Sequence, residues 1–408
     1  YTYEEYLFEY DDFNAGSIIL EKAEPVQFAF QAAKTLDLEI IFISENKEDL
    51  LFSVPKFISE NILNPYDFSL MLHTSGTTAK PKIISLSHMH LWAGQACIQS
   101  TLKLQNDDVC INVMPLFHIH GIVVNLRVTL FAVASVICMP KLDITSFEKT
   151  CSEQNVTWYS AVPTIHQILL DADPELVDFK FIRNCSAALL PSVAMKMQNA
   201  FTCKILPTYA MTESMPIASP PITYDNITEK AGSVGPAAGP DVAIKEDGEI
   251  TVGGANVITS YTNCPTEINL NSFYKGRLRT GDTGYKDKDG WIFLNGRFKE
   301  IINVGGEKIS PFEIEDVVMK HDSVTNAICF AVPHETLGEV VGLGVCGETF
   351  TFNDMMSIKV FLLNHLNQTK IPQMLLHLDK IPKGPTGKPL RIGLHRLLNL
   401  KTESNTII

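Results

Sequence analysis

The segment HTSGTTAKPK at residues 73–82 carries the densest set of groups able to hold a phosphate. Gly76 lets backbone N–H groups come close to an anion, the hydroxyls of Thr74, Ser75, Thr77 and Thr78 add donors, and Lys80 and Lys82 supply charge. The apolar run 68–73 ahead of it reads as a strand feeding the loop. Its spacing is not GxxxxGK[ST] and no good helix pattern follows, which disfavours a Walker-type phosphate loop. Taken alone, the segment serves equally as a polar turn between strands.

Four distant segments supply complementary groups. Thr208, Tyr209, Thr212 and Glu213 put an aromatic face, hydroxyls and a carboxylate on one short stretch, the groups that a nucleotide base, a phosphate and a magnesium ion want. In Arg279-Thr280-Gly281-Asp282 the carboxylate sits on a tight turn and is able to accept two ribose hydroxyls, and Arg297 after Gly296 is a fixed cation fork. Pro385-Thr386-Gly387-Lys388 presents a lysine on a loop. Each has a plain alternative as a β-turn, a surface ion pair or a solvated lysine.

The elements that must position these groups follow an α/β order. Helical spacing at 25–38 leads into EIIFIS (39–44), expected as a buried strand, and the pattern recurs as TWYSAV (157–162), a helix opening at Pro163, and FIRNCS (181–186). Residues 232–260, rich in Gly, Pro and Val, read as a small β subdomain. A composition change near 296–300 begins an α+β region. There Ser310, Pro311 and Glu313 predict a helix over 312–320, with Ser310 as N-cap and Glu313 reaching back to it. Strands near 325–332 and 340–346 and a helix near 354–366 complete it.

A chain of 408 residues, 45% hydrophobic and 19% charged, buries a core and divides into two or three packed units. A net charge of -13 disfavours a nucleic-acid surface, which needs clustered cations to displace counterions. Nine cysteines without a CxxC pair indicate neither a disulfide framework nor a zinc site, so a reducing, cytoplasmic setting is expected. The start YTYEEYLFEYDDF does not read as a secretory signal, and the ending SNTII is not a peroxisomal tripeptide. The apolar stretch 121–139 is interrupted by Asn125, Arg127 and Ser135, and reads as a buried helix and a strand rather than a transmembrane segment.

In their order along the chain, the loop at 73–82, YAMTE, RTGD, GR and PTGK resemble the adenylate-forming superfamily of acyl-CoA synthetases, luciferases and peptide-synthetase adenylation domains. Within it, PLFHIHG (115–121), FIRNCSAALLP (181–191), YAMTES (209–214) and NVGGEKISPFEIE (303–315) resemble the oxalate–CoA ligases of plants and fungi in particular. The resemblance implies an N-terminal AMP-binding domain over 1–298, with its first part shortened, and a mobile lid domain over 299–408 that pivots near Lys299. It implies ATP, magnesium and coenzyme A as cofactors, and a small carboxylic acid, oxalate foremost, as substrate.

Residue by residue, the resemblance assigns Thr74, Ser75, Gly76, Thr77, Thr78 and Lys82 to the β- and γ-phosphates and Tyr209 to adenine. Thr212 goes to the α-phosphate, Glu213 to magnesium, and Asp282 with Arg297 to the ribose. Lys388 bridges the acid and the α-phosphate, and the loop at Gly305 and Gly306 lines the pantetheine tunnel. His118 and Ser186 are implied for the acid, with Arg183 and Asn125 as lesser candidates. An oxalate site needs donors for a second carboxylate, which an imidazole and a hydroxyl supply. His118 and His120 alternate on an expected strand, where a metal pair ranks below packed histidines. Ala79 stands where the superfamily usually has glycine, and the segment before the loop is short of the on the order of a hundred residues expected there. Rival readings are a ligase for another short or aromatic acid, a luciferase-like enzyme, and an inactive nucleotide-binding relative.

Overall fold

A computed structural model describes residues 2–21, 26–43, 64–73, 82–172, 178–225, 227–347, 351–383 and 389–400. The chain divides into two compact units, Tyr1–Met71 and Leu72–Ile408.

The first unit opens with the helix Tyr3–Asp12, started by a capping box between Thr2 and Glu5. The strands Ser17–Glu21 and Glu39–Ile43 pair in parallel around the helix Gln27–Thr35, whose Ala29, Ala32 and Ala33 are buried. The second strand was expected to be buried, yet Ile40 and Ile41 are half-buried and Phe42 is exposed. Among the described residues the sheet has two strands with the helix Gln27–Thr35 packed against it, too little cover for both faces of an apolar run.

The second unit contains a parallel sheet ordered Ser135–Cys138, Val109–Asn112, Trp158–Ala161, Phe181–Asn184, Lys204–Pro207. The helices Pro163–Asp171 and Pro191–Phe201 both open with proline at the first turn, where its fixed φ suits the helix and no N–H is missed. Phe147, Tyr159, Leu169, Ile182, Met197 and Ile205 form the core beneath it. The stretch 121–139 resolves into a wide-turned helix His120–Arg127, a short helix Val128–Phe131 and the strand Ser135–Cys138. Among the described residues no helix is long and apolar enough to cross a membrane. All nine cysteines are free thiols.

An antiparallel sheet follows, built from Asp241–Ile244, Glu249–Gly253, Phe273–Tyr274, Arg277–Lys286 and Ile292–Arg297. It contains the small β region that composition marked. The last sheet pairs Ile302–Val304, Glu307–Ile309, Asn326–His334, Gly338–Cys346 and Met374–His377, with the helices Pro311–Val318 and Phe352–His365. Gly305 and Gly306 form the two-residue loop of its first hairpin at φ +59° and +95°, values that suit glycine and the twist of paired strands. The capping box expected at Ser310 does not form. Ser310 Oγ donates to the Asn295 carbonyl, and Glu313 pairs with Lys370 at 2.7 Å, so both side chains are drawn to tertiary partners.

Described residues from 302 onward pack onto the parallel-sheet region within this unit. Ile302, Ile309, Ile314 and Val318 continue the core of Ile182 and Met197. Gln167 Nε2 donates to the Thr325 carbonyl at 3.0 Å, and the Ser192 N–H donates to Asp316 Oδ1 at 3.1 Å. That carboxylate sits at a helix N-terminus, where unpaired N–H groups and the helix dipole favour negative charge.

Candidate active site

The strands Tyr209–Met211 and Ser214–Ala218 form a hairpin whose two-residue loop is Thr212 and Glu213. Tyr209 is buried, and its hydroxyl donates to Asp282 Oδ2 at 2.5 Å. Asp282 is the cross-strand partner of Arg297, whose Nε lies 3.4 Å from Asp282 Oδ1. The Asp282 N–H donates to Thr280 Oγ1 at 3.1 Å, and Thr280 Oγ1 donates to the Ile250 carbonyl at 2.8 Å. Three segments separated by tens of residues thus converge on one carboxylate. Arg279 of the same motif turns away to Glu249 at 2.9 Å and is structural.

Glu213 is buried and accepts from the Tyr261 hydroxyl at 2.7 Å. Burial raises its carboxyl above the usual range, while Tyr261 and the charges of Lys82 and Arg297 act in the opposite direction. Lys82 Nζ lies 4.2 Å from the Tyr261 ring centroid and donates to Ser272 Oγ at 3.1 Å. One buried carboxylate beside the Thr212 hydroxyl suits magnesium, which takes one or two protein carboxylates and completes its shell with water and substrate phosphates. Thr74, Ser75, Gly76, Thr77, Thr78, Ala79 and Lys388 lie outside the described residues. Lys82 leads into the strand Ile83–Ser87, and only after it comes a helix, His88–Leu102. Lys299 is exposed in the turn closed by the Glu300 N–H donating to the Arg297 carbonyl at 2.8 Å.

A second polar cluster occupies the C-terminal ends of the parallel strands, where ligands of open α/β sheets bind. His118 and His120 do not alternate on a strand. A turn holds His118, with its N–H donating to the Pro115 carbonyl at 3.2 Å, and His120 opens the helix. The fold-back brings Gly121 so close that a Cβ there would lie 2.2 Å from the Pro115 oxygen. His118 stays half-buried against Phe117, whereas His120 points inward, its Nδ1 3.1 Å from Ser186 Oγ and its Nε2 2.7 Å from Ser160 Oγ. Asn125 Nδ2 donates to Asn112 Oδ1 at 2.8 Å and to the Ser160 carbonyl at 3.0 Å. No group of three metal-ligating side chains exists among the described residues.

Arg183 is 1% exposed, and its nearest polar contact is a long one, NH1 to Ser160 Oγ at 3.5 Å. Its Nε and NH2 have no hydrogen-bond partner. Burial lowers its pKa below the guanidinium range, against the neighbouring Cys185 thiol. The resemblance places Arg183 below His118 as a candidate for the acid. Only the depth of its burial raises it, and a mid-strand arginine carries no such signal in its spacing.

Burial sets the histidine protonation here. His120 is held well below its ordinary value by burial and then by Arg183, and His166, 3.1 Å from the Tyr159 hydroxyl, is held down at about 3 by burial. The folded state therefore binds fewer protons than the unfolded chain. This stability is fully present above about pH 6.5 and is lost as the pH falls toward 3. The urea midpoint is expected to fall across that window, and His166→Gln to flatten the fall. A midpoint equally pH-dependent in that variant would contradict the assignment.

The sequence profile described as AMP-binding enzyme matches residues 12–262. The chain belongs to the AMP-binding enzyme family. The oxalate–CoA ligase of Arabidopsis thaliana is 36% identical over 95% of this chain and 80% of its own length. That of Saccharomyces cerevisiae is 36% identical over 89% of this chain and 71% of its own. The ATP-bound structure of MatB from Rhodopseudomonas palustris superposes with a TM-score of 0.83 at 26% identity, over 95% of this chain and 80% of that one. Within the AMP-binding family the chain stands with the AMP-forming acid–CoA ligases, and its fold is that of the adenylate-forming enzymes.

Proposed function

We propose that the protein joins oxalate, or an acid of similar size with a second anionic group, to coenzyme A through an acyl-adenylate. ATP, magnesium and coenzyme A serve the reaction. The observation that carries the choice of acid is Arg183. A buried guanidinium with two donor nitrogens unpartnered is costly in free energy, and an incoming carboxylate offsets that cost. Ser186, with His118 at the rim and His120 within, supplies further polar contacts.

In this reading Thr74, Ser75, Gly76, Thr77, Thr78 and Lys82 hold the β- and γ-phosphates, Tyr209 packs on adenine, and Asp282 with Arg297 holds the ribose. Thr212 contacts the α-phosphate and Glu213 binds magnesium, which screens phosphate charge when bound. Lys388 neutralises charge between the acid and the α-phosphate. Residues 299–408 then turn about Lys299 to bring Gly305 and Gly306 to coenzyme A. The convergence of Tyr209, Asp282 and Arg297 and of Lys82 with Glu213 supports these roles.

The test is ATP- and coenzyme A-dependent pyrophosphate release with oxalate, malonate, acetate and coumarate. A lack of preference for oxalate would refute the proposed substrate. Arg183→Met is expected to raise KM for oxalate by roughly 10- to 100-fold, the loss of charged hydrogen bonds, and to raise the Tm of the ligand-free protein by removing an unpaired buried charge. A lower Tm would mean that Arg183 is a structural group already satisfied.

A further inference from the structure

We infer that Tyr261 is a positioning residue of the nucleotide site, its hydroxyl orienting the Glu213 carboxylate toward magnesium and its ring face seating the Lys82 ammonium. No motif singled out Tyr261. Its side chain is 7% exposed, yet it joins a carboxylate and a cation that approach it from segments far apart in sequence. The phenol takes Glu213 Oε1 at 2.7 Å, which fixes the carboxylate rotamer and directs Oε2 elsewhere. The ring takes Lys82 Nζ at 4.2 Å, a cation–π distance that holds the ammonium without neutralising it. A carboxylate in place of Tyr261 would pair with Lys82 and compete for the cation that the phosphates need. An aliphatic residue would hold neither group.

The backbone around Tyr261 is pinned from three sides, as a positioning role requires. Its N–H donates to Asn269 Oδ1 at 2.8 Å and its carbonyl accepts from Asn269 Nδ2 at 3.0 Å. The next residue, Thr262, donates its N–H to the Ile83 carbonyl at 3.0 Å, and its hydroxyl lies 2.6 Å from Ser85 Oγ. The strand that begins beside Lys82 is thereby locked to the segment bearing Tyr261. On the other side the Ile258 N–H donates to the Glu213 carbonyl at 3.0 Å, so the same segment also holds the hairpin loop. Tyr261 therefore sets the spacing between Lys82 and Glu213.

This inference rests on Glu213 as the magnesium carboxylate, and its test separates the two. Calorimetric titration of ATP into the ligand-free protein, without an acid, is repeated over a series of magnesium concentrations for wild type, Tyr261→Phe, Tyr261→Leu and Glu213→Gln. Tyr261→Phe keeps the ring and is expected to fold, with a modestly lower Tm because the buried Glu213 carboxylate loses a donor. It should raise the magnesium concentration for half-maximal ATP binding by roughly 10-fold, as loss of a partner that orients a metal ligand does, while ATP affinity at saturating magnesium stays as in wild type. Tyr261→Leu adds a several-fold loss of ATP affinity even at saturating magnesium. If Glu213→Gln shifts the magnesium dependence and Tyr261→Phe does not, Tyr261 only packs and the inference is overturned. If Glu213→Gln shifts nothing, the assignment of Glu213 fails and the inference falls with it. Leu and Phe variants that behave alike would remove the ring's part in holding Lys82.

Discussion

Replacing Lys388 by alanine lowers acyl-adenylate formation by roughly 10²-fold or more, the cost of removing a cation placed where charge develops, and leaves thioester formation from a supplied acyl-adenylate near its wild-type rate. The proposed function has carboxylate and triphosphate meet as two anions, so the bond-forming step needs a cation that lies between them and binds neither so well before it. Lys388 lies outside the described residues, and the residues on either side of 384–388 pair with each other. Lys383 and Pro389 bridge in antiparallel fashion, and the Leu390 N–H donates to the Pro382 carbonyl at 2.8 Å. Pro382, Lys383, Pro389 and Leu390 are thereby held together within the last region of the chain. Pyrophosphate release without coenzyme A reads the first half-reaction, and thioester formation from a supplied acyl-adenylate and coenzyme A reads the second. Equal loss in both would sink the proposal that residues 299–408 adopt two positions in turn.

How far the sequence reaches is clearest where contacts are local. Pro163 and Pro191 open helices because the missing N–H and fixed φ act within one turn, and Gly305-Gly306 closes a hairpin because both residues take positive φ. The groups proposed for the nucleotide stand out because their types in order along the chain resemble a family, and the fold brings Tyr209, Asp282 and Arg297 together. Where a side chain had a choice of partners, local rules failed. Ser310 and Glu313 form a capping-box pattern, but Asn295 and Lys370 compete for them from distant segments. Of two histidines two positions apart, the tight turn at Gly121 decides which faces inward, and it selects His120. Arg183 and Tyr261 depend on burial and on partners 23 and 48 positions away, which no window of sequence contains.

Arg391→Met is expected to cost about 3–5 kcal/mol of folding stability, the range for breaking one partner out of a buried ion pair. Arg391 lies three positions after Lys388, with a side chain only 7% exposed. Its NH1 donates to Glu315 Oε1 and to the Cys329 carbonyl, its NH2 to Glu315 Oε2 at 3.3 Å and its Nε to Glu300 Oε2 at 3.2 Å. Phe312 covers the guanidinium at 5.2 Å. Methionine fills much of the same volume, so the loss is electrostatic: Glu315, itself 7% exposed, keeps only the Cys329 N–H at 2.6 Å for a buried negative charge. A surface pair such as Lys149 and Glu153, at 3.9 Å and well exposed, should by contrast contribute under about 1 kcal/mol. The double variant Arg391→Met with Glu315→Met should regain most of the loss, because replacing a buried pair with apolar groups removes the unpaired charge. Urea denaturation at neutral pH measures all three, and a single-variant loss below about 1 kcal/mol would show that the guanidinium is not holding Glu315. The position of these groups gives the stability a functional reading. Glu300 follows the proposed pivot Lys299 directly, so the ion cluster ties the start of the region proposed to turn to Arg391 near its end. Under the proposed turn about Lys299, such a link keeps Glu300, Glu315 and Arg391 together as one body.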